Sequence, residues 1–577
     1  MTNPEIADVL NEVVVLMELK GENPFRCRAY QNAARQVEAL DRDAKDLLEA
    51  GALSGVRGIG KGIAEDIAEL VATGRLGLYE KLKASIPAGL IEMLGISGLG
   101  PKRVRALHEA LGVETIDDLE AACREDRVSG LSGLGAKTQA NILAGIEALR
   151  RNRGLHLFCD AMAAAEEVYA SLRGHPSVVR VEIAGALRRR KETTKDIDLV
   201  ASARDAGALM EAFAGLADVA SVTAKGETKT SGVLKSGIGV DLRVVAEAEF
   251  PYALHHFTGS REHNTLMRGR AKGMGLKMNE YGLFRGDDLI RCKDEAEVFE
   301  ALGLSYIPPE LREGLDEIEA AERGALPRLV APEDLKGVLH VHTNASDGSD
   351  TLEAMVRGAQ ERGYTYIAIC DHSRSAFYAN GLTAERLRRQ GEEIDRLNQK
   401  LKGITILKGV ESDILPDGRL DYDDEVLEGL DVVVASVHSQ LKMSAEKATE
   451  RLVRAIRDPH TTILGHATGR LLLMREGYPI QVEKVLDALA EHGVALEFNA
   501  NPRRMDLDWR HLKGAKERGV KVAINSDAHS VGEIDYMSLS TGTARKGWLT
   551  EEDVLNAMPV KGFVKYLRDR KNGESGR

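Results

Sequence analysis

From residue 335 onward, short apolar runs recur at 338–339, 366–370, 404–410, 432–437, 462–464, 494–498 and 522–524. Between most of them the apolar residues return every three or four positions, over 352–362, 384–401, 445–457 and 482–491. The first pattern predicts strands and the second amphipathic helices. Strands alternating with helices predict a parallel sheet covered by helices, and seven strands predict a closed or nearly closed barrel. Reacting groups in such barrels gather at the C-terminal ends of the strands. The first half of the chain is patterned differently. One motif occurs three times before residue 150, each time an apolar residue, a Gly-apolar-Gly turn and an amphipathic helix. After it come strands of alternating polarity around 183–202 and 239–245.

At or just beyond the ends of the C-terminal strands lie nine metal-ligating side chains. They are His340, His342 and Asp347 in LHVHTNASDG, His372 in CDHS, Glu411 in GVESDIL, His438 in ASVHSQ, His466 in LGHATG, and Asp527 and His529 in NSDAHS. Six of the chain's 15 histidines fall in this series, which scattered surface histidines would not do. A lone His or Asp is usually solvated or hydrogen-bonded; nine in matching positions are not independent. His340 and His342 are two apart, so on a strand they face the same way. The series predicts a multinuclear metal site and hydrolysis of a phosphate ester. The mixed His and carboxylate set, without Cys, suits about three Zn²⁺ or Mn²⁺ ions, with Glu411 as a bridge.

These residues resemble the polymerase-and-histidinol-phosphatase (PHP) metallophosphoesterases over 335–577. That resemblance implies a distorted seven-stranded (β/α) barrel with a trinuclear centre. It assigns His340, His342, Glu411 and Asp527 to one metal, Glu411, His438 and His466 to a second, and Asp347, His372 and His529 to the third.

The N-terminal repeat reads VRGIGKGIAEDIAEL at 56–70, ISGLGPKRVRALHEAL at 96–111 and LSGLGAKTQANILAGI at 131–146. Glycines permit a tight hairpin with exposed amides, and the following helix start adds partial positive charge. The result is a cradle for phosphate. The candidate DNA-binding residues are Gly58, Gly60 and Lys61, then Gly98, Gly100 and Lys102, then Gly133, Gly135 and Lys137. The motif resembles the helix-hairpin-helix, which grips DNA backbones without reading sequence.

The segment IAGALRRRKETTKDIDLVAS at 183–202 places Asp196 and Asp198 on one face of a strand, and Asp241 follows in GVDLRVV. Three carboxylates on neighbouring strands would hold two Mg²⁺ or Mn²⁺ ions, which activate an attacking hydroxyl and stabilise a leaving pyrophosphate. The turn at Gly185 would face a triphosphate with its amides, and Arg189 would neutralise it. A DxD pair alone is usually a solvated strand edge; the Gly–Arg–Arg segment before it and Asp241 after it favour nucleotidyl transfer. The spacing resembles the nucleotidyltransferase palm of family X DNA polymerases, and FTGSREHNTLMRGRAKGMGLKMNEYGLF at 257–284 resembles their thumb. By that resemblance Phe257 and Gly259 border the incoming sugar, Asn264 reaches the base edge and Arg268 the template. Polymerase and PHP parts joined in this order are the arrangement of bacterial family X polymerases.

The chain departs from the family pattern in places. Ala186 stands where a Ser contacts the triphosphate, Gly239 replaces an Arg, and His256 replaces a Tyr beside Phe257. Asp66 stands where the repair polymerases carry a lyase Lys, and a carboxylate cannot form a Schiff base.

Length and charge adjust this picture only slightly. At 577 residues the chain is too long for one core. The expected parts are an N-terminal helical domain (1–90), fingers (91–150), palm (151–250), thumb (251–315), a proline-flanked join (316–334) and the PHP domain (335–577). The net charge of −12 lowers the expectation of non-specific electrostatic binding, but backbone amides hold phosphate without side-chain charge. Five dispersed cysteines, no 18-residue apolar stretch and no signal-like start lead us to expect a cytoplasmic, non-membrane protein, working as a monomer. The expected function is filling of short gaps in gapped or primer-template DNA from deoxynucleoside triphosphates, in base excision repair. A 3′→5′ exonuclease would reside in the PHP domain, with incision at abasic sites as a further activity. The alternative is a DNA-binding scaffold with a weak polymerase, carrying a phosphomonoesterase.

Overall fold

The computed structural model describes residues 1, 3–38, 40, 42–96 and 98–571, so Ser97 of the second repeat and residues 572–577 lie outside it. The chain forms two compact units, Met1–Arg153 with Leu473–Arg475, and the remainder from Gly154 onward.

The first unit is helical among its described residues. Its opening helix, Asn3–Lys20, buries Ile6, Leu10, Val13 and Met17 completely, at the three-to-four-residue spacing of one helix face. That stripe packs on Pro24–Glu38 and into a single core with Ile67, Leu107 and Leu119. The three repeats fold alike. Gly58, Gly98 and Gly133 take φ of +99°, +87° and +81°, a region costly to any side chain. Two residues later Gly60, Gly100 and Gly135 cap the helices Lys61–Thr73, Pro101–Leu111 and Ala136–Asn152.

The second unit begins with a five-stranded palm sheet: β1 (Val178–Ile183), β2 (Asp196–Ala203), β3 (Val219–Lys225), β4 (Lys229–Leu234) and β5 (Gly239–Val245). The order is β1–β2–β5–β4–β3, with only β2 and β5 parallel. Helices Phe158–Arg173 and Ala206–Ala214 share a core with the sheet's Ile197, Leu199, Val240 and Leu242, while Ala184, Val200 and Phe250 form a smaller cluster. The thumb follows, with helices Phe250–Thr258 and Arg261–Gly273 and a small antiparallel sheet of β6 (Lys277–Asn279), β7 (Gly282–Arg285) and β8 (Asp288–Ile290). Residues 316–334, expected to join two bodies, pack closely. Ile318, Ala321, Leu329 and Val330 are buried, and the Val330 amide donates to Leu549 O at 2.8 Å.

The C-terminal half is the barrel that the periodicity predicts. Its strands are β9 (Gly337–Val341), β10 (Tyr366–Ile369), β11 (Thr405–Asp413), β12 (Val432–Ser436), β13 (Ile463–Leu464), β14 (Ala495–Asn499) and β15 (Val522–Asn525). They pair in chain order, all parallel, and a bridge from Val341 to Ala528 nearly closes the ring. Leu339, Ala368, Val434, Ile463, Ala495 and Ala523 form one core cluster with Phe563 of the helix Val560–Lys571, whose ring stacks on Tyr366. Strand β11 runs on through Glu411 to Asp413 because these polar residues keep pairing with β12, so Glu411 sits within the strand rather than past its end.

Candidate active sites

The barrel brings all nine expected ligands together. Glu411 is fully buried at the centre. Its carboxylate oxygens lie 2.9 Å from His372 Nδ1, 2.9 Å from His466 Nε2, 3.2 Å from His438 Nε2, and 3.6 Å from both His340 Nε2 and His342 Nε2. Asp527 Oδ1 stands 3.1 Å from His342 Nε2, and Asp347 lies 3.5 Å from both His372 and His529. The register between β9 and β10 shifts between Val338 and Val341, which brackets His340; such irregularities re-aim side chains beside active sites.

Three groups within this set have ligand atoms close enough to share an ion: His342, Asp347, His372 and His529; His340, His342 and Asp527; and His372, Glu411 and His438. All three overlap the ion assignments drawn from the resemblance, and the second falls wholly within one of them, but His342 and His372 each belong to two groups. The donors fit metal. His340 Nε2, His342 Nδ1 and His466 Nδ1 are buried without a hydrogen-bond partner, an arrangement that costs free energy unless a cation fills it. Burial raises the Glu411 carboxyl, yet the surrounding imidazoles of His438, His372 and His340 outweigh burial and hold it well below the carboxylate range. Burial, reinforced by His372 and His529, pushes His342 down to about 4, so its ring is neutral and able to ligate at neutral pH.

A second ring of groups, not singled out from sequence, orients these ligands. Glu497 is fully buried on β14 and holds His340 Nδ1 at 2.8 Å; it also accepts from Asn499, Asn525 and the His466 amide. Asp413 holds His438 Nδ1 at 2.6 Å, and Asp371 accepts from Thr343, Ser346 and Gln390. Such partners fix the ring and tautomer that a metal needs. The signal in the sequence was a Glu inside the apolar run VALEFN, and an Asp two residues after Glu411.

In the palm, Asp198 on β2 faces Asp241 on β5 directly, with Asp196 one pleat away. Lys229 Nζ lies 2.5 Å from Asp241 Oδ2. Burial first, then Asp196 and Asp241, lift the Asp198 carboxyl to about 6. Gly185 has φ +62°, and a Cβ there would lie 2.3 Å from the Asp198 carboxylate, so only glycine brings this turn against the acids. Ala186 follows, half-buried, in the single helical turn Gly185–Arg188. Arg189 does not point free into the site. Its Nε pairs with Glu313 at 3.1 Å and its guanidinium donates to Thr258 O at 2.7 Å. Glu313 in turn binds the buried Lys546 of the barrel, which also donates to Arg189 O at 3.0 Å. Trp509 and Arg510 hold Glu192 at 3.0 and 2.9 Å, and Thr543 donates to Arg190 O at 2.9 Å. The turn that leads into the palm acids is thus braced by thumb and barrel side chains.

On the thumb, Asn264 Nδ2 donates to His256 O at 2.7 Å and Gly259 O at 3.2 Å, fixing the bend that carries Phe257 and Gly259, while its Oδ1 is left without a partner. Phe257 lies under the Arg243 guanidinium, 4.2 Å from ring centroid to Cζ. Arg268 is exposed and lines a small hollow with His256, Asn264 and Asn279.

Comparison with known proteins fits this division. Family models match for a helix-hairpin-helix domain over residues 1–76, a tandem of such hairpins over 90–148, the DNA polymerase beta thumb over 253–313 and the PHP domain over 339–501. The DNA polymerase/3′-5′ exonuclease PolX of Bacillus subtilis (strain 168) is 38% identical over 572 residues, covering 98% of this chain and 100% of that protein. The chain belongs to the family X DNA polymerases that carry a PHP domain. Other relatives match the barrel alone. A probable phosphatase of Thermoanaerobacter sp. (strain X514) is 30% identical over 41% of this chain and 96% of its own length. One from Caldanaerobacter subterraneus is 29% identical over 42% and 95%.

The family X hairpins have a feature that packing does not explain. A Cβ on Gly60, Gly98, Gly100, Gly133 or Gly135 would meet nothing within 4 Å. Of these, Gly60, Gly100 and Gly135 also have ordinary negative φ, so neither strain nor crowding within the chain demands glycine there. Close approach of another backbone would. Lys61, Lys102 and Lys137 stand exposed at the same helix starts. Asp66 accepts a hydrogen bond from the Tyr30 hydroxyl.

Proposed function

We propose that this family X enzyme is a DNA-directed DNA polymerase that fills short gaps during base excision repair, with a metal-dependent 3′→5′ exonuclease in its barrel. The polymerase reading is carried by one observation: Asp198 and Asp241 face each other on parallel strands with Asp196 beside them, directly against the Gly185 turn. Asp196 and Asp198 would hold two Mg²⁺ or Mn²⁺ ions and Asp241 would complete the one nearer the primer. Divalent cations bound there acidify a primer hydroxyl and offset charge on a triphosphate. Asp241 accepts the hydroxyl proton. The amides of the Gly185–Ala186 turn face the triphosphate, with Arg189 bracing that turn from behind. Phe257 and Gly259 border the sugar, Asn264 Oδ1 meets the base edge, and Arg268 the template. The hairpin glycines with Lys61, Lys102 and Lys137 hold the DNA backbone on either side of the gap.

In the barrel, the nine ligands would hold about three Zn²⁺ or Mn²⁺ ions, which supply Lewis acidity and a nucleophile at neutral pH when bound. His340 and His438 are kept in ligating orientation by Glu497 and Asp413. The same centre would suit incision at abasic sites. A second reading, a phosphomonoesterase, draws on the barrel-only relatives.

Assays on gapped DNA and on single-stranded oligonucleotides test both halves. Asp198→Ala is expected to lower primer extension by at least about a thousandfold while degradation from the 3′ end continues, since one of the two carboxylates that would hold both ions is gone. His342→Ala is expected to do the reverse. Extension by Asp198→Ala at the parent rate would overturn the palm assignment. Hydrolysis of phosphomonoesters with no action on oligonucleotides would replace the exonuclease reading with the second one.

A further inference from the structure

Between β10 and the helix Ala384–Lys400, residues 371–382 form a loop tied to the metal centre at several points. The Ser373 amide donates to Glu411 O at 2.9 Å, and the Leu382 amide donates to His372 O at 2.8 Å. Midway, a short turn, Phe377–Ala379, ends at Asn380 with φ 53°. Asn380 Nδ2 donates to Ala345 O at 3.0 Å, on the segment that carries His342 and Asp347. Arg386 clamps the same place, donating to Asn380 O at 3.0 Å and to Ala345 O. Gly381 is pressed so closely that a Cβ there would lie 1.9 Å from Ser373 O, and Ala376 and Ala379 are buried.

This fixed loop holds two large aromatic rings in solvent. Phe377 is 88% exposed and Tyr378 72% exposed. Burying such a ring is worth about 1.5–3 kcal/mol, and here the fold forgoes it at adjacent residues. The place is specific: the Tyr378 ring centroid is 6.2 Å from that of His372 and 6.4 Å from that of His438. Loop flexibility cannot account for the exposure, because the backbone on both sides is tied down. Neither ring serves the metal ligands as Glu497 and Asp413 do.

We propose that Tyr378, with Phe377 beside it, is a stacking platform for the unpaired base at the 3′ end of a single DNA strand whose last phosphodiester enters the metal centre. This rests on the exonuclease reading above. Stacking on an aromatic face stabilises a base by about 1–3 kcal/mol and tolerates all four bases. An enzyme that removes whatever nucleotide stands at the end needs that tolerance, and hydrogen-bond readout would defeat it. The hairpins and the palm on the same chain determine that DNA is the strand delivered. The platform also separates this barrel from one that takes small phosphate esters, for which a wall of aromatic rings has no base to hold.

The test compares full-length enzyme with Tyr378→Ala, Tyr378→Phe and Phe377→Ala on a single-stranded oligonucleotide and on bis(p-nitrophenyl) phosphate. In Tyr378→Ala the ratio of kcat/KM for the oligonucleotide to that for the small diester is expected to fall about tenfold, mainly through KM. Tyr378→Phe restores it, because the ring and not the hydroxyl does the stacking. Phe377→Ala gives a smaller fall. An oligonucleotide lacking its 3′-terminal base loses a similar factor with the parent enzyme and loses nothing more with Tyr378→Ala. An unchanged ratio in Tyr378→Ala overturns the platform. So does an equal fall on both substrates that Phe does not rescue, which marks the ring as a prop for the loop. A parent enzyme that hydrolyses the diester and leaves the oligonucleotide intact overturns the exonuclease reading, and the platform with it.

Discussion

In the palm, three carboxylates share one patch, and among the described residues Lys229 is the one cation paired with them. In the barrel, six histidines and three carboxylates converge, and Glu497 and Asp413 hold two of the rings from behind. Burial, then the charges of Asp196 and Asp241, lift the Asp198 carboxyl to about 6. The Glu411 carboxyl, in contrast, is held far down by its imidazoles, and several donors are already stripped of other partners. On the proposed function, the palm would receive cations with each incoming triphosphate and release them with pyrophosphate, whereas the barrel would keep its ions through many turnovers. The two sites would then differ in whether the metal travels with the substrate or resides in the protein.

The palm and the barrel touch through buried side chains. Lys546 of the barrel is buried, lies 4.5 Å over the Trp509 ring and joins Glu313 to the carbonyl of Arg189. Burial pushes its amine down to about 8, against the pull of Glu313. Lys546→Met leaves Glu313 buried with Arg189 as its remaining partner, and loss of one member of a buried pair costs about 3 kcal/mol. A lowered midpoint of thermal unfolding is expected, together with a raised KM for nucleotide, since the Gly185 turn loses its brace. Full stability with an unchanged nucleotide KM would show that palm and barrel are independent after all.

How much of this was legible beforehand depends on range along the chain. The seven strands and the nine candidate ligands could be read because apolar period and ligand placement are local signals, and most of the histidines stand just past the end of a strand. The palm acids could be read for the same reason, through the spacing of Asp196 and Asp198. Glu497 was hidden because a buried carboxylate in VALEFN looks like one polar lapse in a strand until His340, 157 residues away, is seen to meet it. The pairing of Arg189 with Glu313, and of Glu313 with Lys546, spans 124 and 233 residues and leaves no periodic trace. Phe377 and Tyr378 sit in a loop, where aromatic residues carry no pattern to distinguish a platform from a stray exposed ring.

A resident centre should depend on what stands behind its ligands. Glu497→Gln keeps the shape and the bonds to Asn499 and the His466 amide but removes the charge facing His340 Nδ1. Loss of such a partner lowers metal affinity about 10–100-fold. After dialysis against a mild chelator, elemental analysis is expected to find fewer ions in this variant than in the parent, and exonuclease activity is expected to need added Mn²⁺ or Zn²⁺. Primer extension in Mg²⁺ is expected to hold its parent value. Equal retention of ions in parent and variant would mean that the barrel's hold rests on the nine ligands alone.

The smallest effect sharpens the palm side. If cations arrive there with the triphosphate, affinity for the nucleotide should depend on how many groups grip its phosphates. Ala186 offers only its amide, in a turn where its carbonyl already accepts from the Lys191 amide at 3.0 Å. The residue is half-buried, so a hydroxyl can be added without displacing the core. Ala186→Ser supplies one more hydrogen bond to a charged phosphate, worth about 1.5 kcal/mol, and is expected to lower KM for nucleotide about tenfold with kcat changed by less than about twofold. Because metal and triphosphate bind together in this account, the Mg²⁺ concentration giving half-maximal extension at fixed nucleotide is expected to fall as well. Exonuclease activity and its metal requirement are expected to stay at the parent values. A lower nucleotide KM with no change in Mg²⁺ requirement would mean that the palm acids collect their cations independently of the triphosphate, and the contrast with the barrel would then be one of strength rather than of kind.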